Sequence, residues 1–227
     1  MKTILSCIAL FFFINLVGCA TYITKEEFSP KMYTERPLSI LVLPPMNTST
    51  AADAKDYYMT TVAEPLTNSG YYVYPMEIVS DILQQEGLYD TETMLDAPLQ
   101  KFKEYFGADA VLYVTIEEWD TKYFITSGSV DVKVKCELKS TSSSEVIWFY
   151  DDKISVNTSG SSGSGGGWLG LLAQVVTTAI QTATTDYVPI ARDVNKNIFL
   201  AMPFGKYNSK FDKDQKDKIK KKEAVKK

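Results

Sequence analysis

The apolar positions in the first half of the chain fall into short runs separated by stretches with helical spacing. Residues 38–43 form an almost continuous apolar run, which predicts a central strand covered on both faces. The elements predicted next are, in order, a helix over 51–68, a strand over 71–74, helices over 76–85 and 98–106, and a strand over 110–116. The first of these helices has candidate N-cap groups at Asn47, Thr48 and Ser49. This order indicates an α/β layer with partly parallel pairing.

The pattern changes to strict alternation further along the chain. Apolar residues occupy every second position from Val130 to Leu138, and the positions between them are charged. This period of two predicts a strand with one solvated face. Together with strands predicted over 123–126 and 146–156, it is typical of an antiparallel meander.

Two helices are predicted after the meander. A Ser/Gly loop over residues 158–167 leads into a wide apolar stripe at helical spacing from Trp168 to Ala183, and a second helix is predicted over 188–201. The predicted fold class is α/β (α+β). We expect a mixed sheet with a parallel βαβ-type N-terminal part, then the meander, then C-terminal helices.

The N-terminus has the pattern of a secretory signal peptide. Lys2 provides a positive start, and the apolar run from Ile4 to Leu16 is too short to span a bilayer. The run ends in Leu16-Val17-Gly18-Cys19, which resembles the lipobox of bacterial lipoproteins. An alternative interpretation makes Cys19 a small residue near an ordinary cleavage site.

The lipobox resemblance implies a defined processing pathway. Signal peptidase would recognise Leu16, Val17 and Gly18, the segment 1–18 would be removed, and Cys19 would be acylated. Ala20 stands where lipoproteins retained at the inner membrane usually carry aspartate. The resemblance therefore implies an anchor in the outer membrane, with the protein on its periplasmic face. Two or three acyl chains would hold it there essentially permanently.

The mature chain divides into three parts by composition. Residues 19–36 are predicted to be the lipid anchor and a tether, residues 37–204 a single α/β domain, and residues 205–227 a disordered Lys-rich tail. Ten lysines and four acidic residues give the segment 206–227 a net charge of +6. The segment 1–205 has 14 basic and 24 acidic residues, a net charge of −10.

The cysteine and histidine counts exclude several kinds of site. Cys7 lies in the signal segment and Cys19 in the lipobox, so Cys136 alone remains and no intramolecular disulfide forms. Cys136 alternates with valines and is predicted to point into a core. The absence of histidine excludes Ser-His-Asp and Cys-His catalysis and His-containing zinc sites. We expect no metal and no other cofactor.

Two stretches of the body resemble one family of folds. Ile40-Leu41-Val42-Leu43-Pro44-Pro45-Met46-Asn47-Thr48-Ser49 looks like the opening of the TolB amino-terminal domain and of CsgG-type lipoproteins, and Gly107-Ala108-Asp109-Ala110-Val111-Leu112-Tyr113-Val114 is similar to a later strand of the same folds. The chain thus resembles bacterial lipoproteins with a TolB-like α/β fold that are often encoded beside CsgG-like proteins. The resemblance brings no catalytic residues. An obvious membrane-crossing β-hairpin region, as in the secretion channels, is missing.

Two local patterns have chemical alternatives. The run Gly165-Gly166-Gly167-Trp168-Leu169-Gly170 fits G-x-G-x-x-G, but the residues after it have a helical pattern and do not form the parallel strand that a dinucleotide site needs. The acidic residues at two strand ends are Glu117, Glu118, Asp120, Asp151 and Asp152. They suit acid–base chemistry or a divalent cation. They equally suit solvated strand ends that oppose aggregation.

The apolar stripe after the Ser/Gly loop is a core helix or a docking surface. Its candidate interface residues are Trp168, Leu169, Leu172, Val176 and Ile180. We therefore expect a non-catalytic outer-membrane lipoprotein, homo-oligomeric, that serves as a binding or assembly component of an envelope transport or secretion complex. Its partners would be CsgG-like or other envelope proteins and not nucleic acid. The alternatives are a periplasmic carrier of small molecules or lipids, and an envelope hydrolase that uses the acidic residues.

Overall fold

The computed structural model describes residues 22–124, 127–157 and 187–220. The helices are α1 (Lys25–Phe28), α2 (Pro30–Glu35), α3 (Ala54–Asn68), α4 (Met76–Gln85), α5 (Leu99–Phe106) and α6 (Val188–Phe199), with a 3₁₀ turn at Thr91–Met94. The strands are β1 (Tyr22–Thr24), β2 (Ser39–Val42), β3 (Met46–Asn47), β4 (Tyr72–Val73), β5 (Ala110–Phe124), β6 (Ser127–Ser140), β7 (Val146–Asn157) and β8 (Lys218–Lys220). Within these ranges, no helix has the length and apolar character required to cross a bilayer.

The main sheet has the strand order β4-β2-β5-β6-β7, with β3 also paired to β5. The pairs β2–β4, β2–β5 and β3–β5 are parallel. The pairs β5–β6 and β6–β7 are antiparallel. The predicted mixed sheet, with a parallel N-terminal part and an antiparallel meander, is therefore confirmed.

Strand β2 is buried on both faces, as its apolar sequence predicts. Ile40 and Val42 point into a core formed with α3 and α6, whereas Leu41 and Leu43 point into a second core formed with α4 and α5. All four side chains are fully buried. Helices thus cover both faces of the sheet around β2, and this explains why the strand lacks polar alternation.

Strand β5 is longer than the sequence predicts. The pattern predicts separate strands over residues 110–116 and 123–126, but one strand runs from Ala110 to Phe124. A register shift between Ile116 and Glu118 places Glu117 in a bulge. The extra residue changes the phase of the alternation, so Ile116 and Trp119 are both buried. The polar residues around the bulge hide this continuity from a period-two search.

The apolar face of the meander forms the larger core. The alternating residues Val130 to Leu138 are at most 1% exposed, as predicted. Cys136 lies among them, and its Sγ is 3.7 Å from the hydroxyl of Tyr58 on α3. Burial raises the pKa of the Cys136 thiol to about 12, so the thiol stays protonated. The opposite face of the meander carries the charged residues of the alternation.

The predicted N-cap of the helix after β3 is wrong. Helix α3 begins at Ala54 rather than near residue 51, and no side chain caps it. Asn47 instead closes a turn: its Oδ1 accepts from the backbone nitrogen and hydroxyl of Ser49 at 3.1 and 2.7 Å, and its Nδ2 donates to the Ala51 carbonyl at 2.7 Å. The side chains of Asn47 and Ser49 therefore form hydrogen bonds with each other and with backbone groups of the loop, and they do not cap the helix.

The predictions of a tether over 19–36 and of a disordered tail over 205–227 are also wrong in part. Residues 22–36 form a strand and two short helices, not an extended tether, and residues 205–220 end in strand β8. The reason is that the two segments fold against each other: β1 pairs with β8 in an antiparallel ribbon. Composition alone cannot reveal this, because each segment is too polar to fold without the other. The Ser/Gly loop 158–167, the stripe 168–183 and Cys19 lie outside the described residues.

Candidate functional site

The two segments that join the ends of the described chain form the N–C junction, which we define as residues 22–36 and 203–220. In its ribbon, Tyr22 pairs with Lys220 and Thr24 with Lys218. The pairing continues beyond β1, since the Lys25 backbone nitrogen donates to the Asp217 carbonyl at 3.0 Å. Backbone hydrogen bonds thus hold both segments in a fixed register.

A capping box turns the chain from β1 into α1. The Glu27 backbone nitrogen donates to Thr24 Oγ1 at 3.2 Å, and the Thr24 backbone nitrogen donates to Glu27 Oε2 at 2.8 Å. This reciprocal pair satisfies two donors at the helix start. The Thr24-x-x-Glu27 spacing is a sequence signal for this turn, which the hydrophobic pattern alone does not predict.

A buried ion pair lies at the centre of the junction. Lys25 Nζ is 3.1 Å from Asp214 Oδ2, and both side chains are buried. Nζ also donates to the Met202 carbonyl at 3.0 Å and lies 4.3 Å from the centre of the Phe204 ring. Asp214 accepts two further hydrogen bonds, from the Phe204 backbone nitrogen at 3.0 Å and the Tyr33 hydroxyl at 3.2 Å. The charges are therefore paired and hydrogen-bonded, as burial requires.

A shallow cleft opens beside this ion pair. Its walls include Met32, Tyr71 and Phe211, and Arg36 pairs with Asp212 at its rim with an N–O distance of 3.1 Å. The Tyr71 hydroxyl donates to the Pro203 carbonyl at 2.7 Å, and both residues line the cleft. These polar groups of the cleft are thus bonded to one another, and we assign it no ligand.

The exposed side of the junction is basic. The exposed lysines of its C-terminal segment are Lys206, Lys210, Lys213, Lys216 and Lys218. Two of the three acidic residues in the same segment, Asp212 and Asp214, are paired with Arg36 and Lys25 of the N-terminal segment. The N-terminal cations therefore neutralise these two carboxylates, and the five exposed lysines outnumber the exposed carboxylates of the junction, which are Glu26, Glu27 and Asp217.

Two of the acidic residues considered for catalysis each pair with a lysine. Glu117 Oε2 lies 2.6 Å from Lys133 Nζ, and Glu118 Oε1 lies 2.5 Å from Lys153 Nζ. The hydrogen bond from Lys153 lowers the pKa of Glu118, and this favours a carboxylate rather than a general acid. Asp152 accepts from the backbone nitrogen of Lys153 at 2.8 Å.

These carboxylates belong to the solvated face of the meander, where they form ion pairs with lysines. Lys153 Nζ also lies 3.2 Å from Asp131 Oδ2, so one ammonium group neutralises carboxylates of both β5 and β6. In the part of the chain that the structure describes, no three potential metal-ligating side chains come together. Opposite charges on adjacent strands stabilise the sheet modestly and discourage edge pairing.

The Gly-Ala-Asp stretch before β5 joins the two central strands. Asp109 Oδ2 accepts from the backbone nitrogens of Leu38 and Ser39 at 3.0 and 3.2 Å. Lys103 Nζ lies 3.3 Å from Asp109 Oδ1. Burial raises the pKa of Asp109, but these hydrogen bonds outweigh it and hold the pKa below its usual value. The motif thus fixes the start of β2 against β5.

The family comparison covers most of this architecture. The family model described as "Putative lipoprotein GNA1162-like" matches residues 30–204, which include the whole main sheet and helices α2 to α6. The chain belongs to this family. The predicted resemblance to a bacterial lipoprotein family is thereby confirmed.

Two matches from Neisseria meningitidis, one by sequence and one by structure, show the same relationship. The curated "Putative lipoprotein NMB1124/NMB1162" of serogroup B is 33% identical over 151 residues, which are 66% of this chain and 69% of the relative. The crystal structure of lipoprotein GNA1162 matches with 32% identity and a TM-score of 0.50, and it covers 64% of this chain and 99% of that one. The mixed α/β fold is therefore shared with a solved member of the GNA1162-like family.

A more distant match is the PelC dodecamer from Paraburkholderia phytofirmans. It has 16% identity and a TM-score of 0.43, and it covers 73% of this chain and 87% of that chain. We draw nothing on assembly from so distant a match. The predicted lipidation site Cys19, its recognition residues Leu16 to Gly18 and the predicted interface on 168–180 lie outside the described residues of this GNA1162-like protein.

Proposed function

We propose that the protein is an outer-membrane lipoprotein, anchored through acylated Cys19, whose domain faces the periplasm. Its domain acts as a non-catalytic binding or assembly component of an envelope transport or secretion complex. Membership of a lipoprotein family supports the anchor. The lipobox Leu16-Val17-Gly18-Cys19 supplies the residue that would carry it.

One structural observation carries the proposed mode of action. Strand β1 begins at Tyr22, only three residues after Cys19, and is held by β8 and by the Lys25–Asp214 ion pair. Three residues span at most about 10 Å. The acyl chains would therefore hold the domain itself close to the leaflet, with no long tether between them. A short, ordered connection of this kind suits a protein that presents a surface at a defined height above the membrane.

The buried core of the described residues favours a binding role over that of a carrier. Between the meander and the helices, the fully buried side chains include Tyr58, Val62, Val134, Leu138 and Ile198. A carrier needs a sizeable apolar cavity in this layer. The outer face of the meander is covered by lysine–carboxylate pairs. Neither observation supports the carrier or the hydrolase.

The anchor is tested on the chain purified from a two-membrane bacterium. Intact mass analysis is expected to show a chain that begins at Cys19 and carries acyl groups, in the outer-membrane fraction. Replacement of Cys19 by serine (C19S) should abolish both acylation and removal of the segment 1–18. An unmodified, water-extractable chain that the substitution leaves unchanged contradicts the proposal.

The assembly role is tested by crosslinking in intact cells. A photo-crosslinkable residue at Leu172 or Ile180 of the predicted interface is expected to capture a second copy or an identified envelope protein. The matched control places the same residue at Lys101, which is exposed on α5. Equal capture at all three positions, or capture at none, contradicts the assembly role.

A further inference from the structure

The lysines of the C-terminal segment are held beside the predicted anchor by the β1–β8 ribbon. Tyr22 pairs with Lys220 and Thr24 with Lys218, so β8 runs alongside the first described residues of the chain. Cys19 precedes Tyr22 by three residues, a span of at most about 10 Å. The basic segment, although it is distant in sequence, therefore lies within the reach of the membrane surface that an acylated Cys19 would mark.

The charge of this segment is available to an outside partner. In the described part of the chain, the ammonium groups of Lys206, Lys216 and Lys218 have no carboxylate within 4.0 Å. All three side chains are exposed. Of the three carboxylates in the same segment, Asp212 and Asp214 are paired with cations of the N-terminal segment, whereas Asp217, between Lys216 and Lys218 in sequence, is exposed. The five exposed lysines of the segment therefore outnumber its one exposed carboxylate.

The ribbon also has the side-chain pattern of a surface that meets a membrane. Strand alternation places Tyr22, Thr24 and Lys218 on one face and Ile23 and Ile219 on the other. The isoleucines are partly buried, whereas Tyr22 is 59% exposed. Tyrosine and lysine together are typical of the headgroup level of a bilayer, because both have an apolar body and a polar end.

We propose that this cationic face of the N–C junction binds the anionic phospholipid surface next to the anchor. The location of that surface rests on the proposed function, but the binding does not require the acyl chains. The rest of the protein strengthens the preference, since residues 37–202 have ten basic and 21 acidic residues, a net charge of −11, and are repelled by the same surface. Each lysine near an anionic leaflet strengthens binding about fivefold. The face therefore determines which side of the domain meets the membrane.

The test uses the mature chain 19–227 with the substitution Cys19→Ser, so that acylation does not contribute. Co-sedimentation is measured with vesicles of phosphatidylcholine alone and with vesicles that contain about one third phosphatidylglycerol. Binding is expected only to the anionic vesicles and is expected to weaken as salt is raised, because the contact is electrostatic. Equal binding to both kinds of vesicle, or no binding to either, overturns the inference.

Two variants of equal net charge locate the surface. The double substitution Lys216→Gln and Lys218→Gln is expected to weaken binding to anionic vesicles about tenfold or more. The control, Lys55→Gln with Lys101→Gln, removes two lysines outside the junction and is expected to change binding less than about twofold. Thermal unfolding confirms that both variants remain folded. Equal loss in the two variants shows a general charge effect and overturns the inference, whereas failure of Cys19 acylation in cells leaves this vesicle result unaffected.

Discussion

Lys25 and Asp214 form a buried ion pair across 189 positions of sequence, with 3.1 Å between Nζ and Oδ2. Both charged groups have further hydrogen-bond partners, since Nζ donates to the Met202 carbonyl and Asp214 Oδ1 accepts from the Tyr33 hydroxyl. Burying two charges is costly, and their attraction offsets the cost only with such additional hydrogen bonds. The pair therefore connects the start of the domain to the segment before its last strand and makes the two segments interdependent.

Loss of either partner of this pair is expected to destabilise the protein strongly. Lys25→Met leaves the Asp214 carboxylate buried without its cation, and the free energy of unfolding should fall by about 3–5 kcal/mol. Urea denaturation measures the change. Arg36→Gln is the control, because its ion pair with Asp212 is about half exposed and should contribute less than about 1 kcal/mol. Equal effects of the two substitutions would contradict the role assigned to the buried pair.

Asp193 on α6 is expected to make stability depend on pH. Burial raises the pKa of its carboxyl to about 6, and within the described residues its Oδ1 has no hydrogen-bond partner. A raised folded-state pKa means that the stability contributed by the protonated form is fully present below about pH 4 and is lost as the pH rises through about 6. Near neutral pH, the buried charge therefore opposes folding.

The substitution Asp193→Asn tests this dependence. The variant should be more stable than the wild type near pH 7.5 by about 1–3 kcal/mol, and the difference should vanish below about pH 4. Urea denaturation at several pH values provides the measurement. Asp96→Asn, at an exposed position, serves as the control and should have no such profile. Equal stability of the wild type and the Asp193→Asn variant at all pH values would contradict the raised pKa of Asp193.

The close contact between Gly70 and Gly205 predicts that neither position accepts a side chain. A Cβ on Gly205 would fall on the Gly70 carbonyl, and a Cβ on Gly70 would fall on the backbone of Asn208. Because backbone cannot move aside as a side chain can, Gly205→Ala should cost about 2 kcal/mol or more. Gly87→Ala is the matched control, since Gly87 has a φ of +79° but open space around it, and it should cost about 1 kcal/mol. Thermal unfolding ranks the two.

Cys136 is expected to be inert in the folded protein. Its thiol is fully buried against Tyr58, and burial raises its pKa to about 12, so the reactive thiolate is scarce. In the mature chain with Cys19 replaced, a thiol reagent should react only at the rate of unfolding. Addition of urea should then give one equivalent of modified thiol. Rapid modification under native conditions would show that the thiol is accessible.

The sequence predicts best those strands in which the same face or faces are buried along the whole length, because their hydrophobic period is then constant. The alternation from Val130 to Leu138 and the apolar run of β2 are correct, because each strand has the same environment along its length. Strand β5 is divided in error, since the bulge at Glu117 shifts its phase. A search for one period fails at such a shift even when the strand is continuous.

The sequence pattern does not predict the N–C junction, because the residues whose contacts fold it lie in two segments that are far apart in the chain. The lysines around Asp212 and Asp214 give the C-terminal segment the composition of a disordered tail. The partners that fold it, Lys25 and Arg36, lie at the other end of the domain. Only the Thr24–Glu27 capping box is a local signal. The long-range pairing that overrides the composition has no sequence period.

The β1–β8 ribbon has a consequence for biogenesis. Because β8 follows β1 by nearly 200 positions in the chain, a nascent chain lacks the partner of β1 until those residues have been translated and translocated. The residues next to Cys19 would stay unpaired during that interval and remain open to the processing enzymes. A chain that stops before Asp214 would be acylated, but it would lack the partners of Lys25 and of β1. Such a chain would be degraded early by periplasmic proteases.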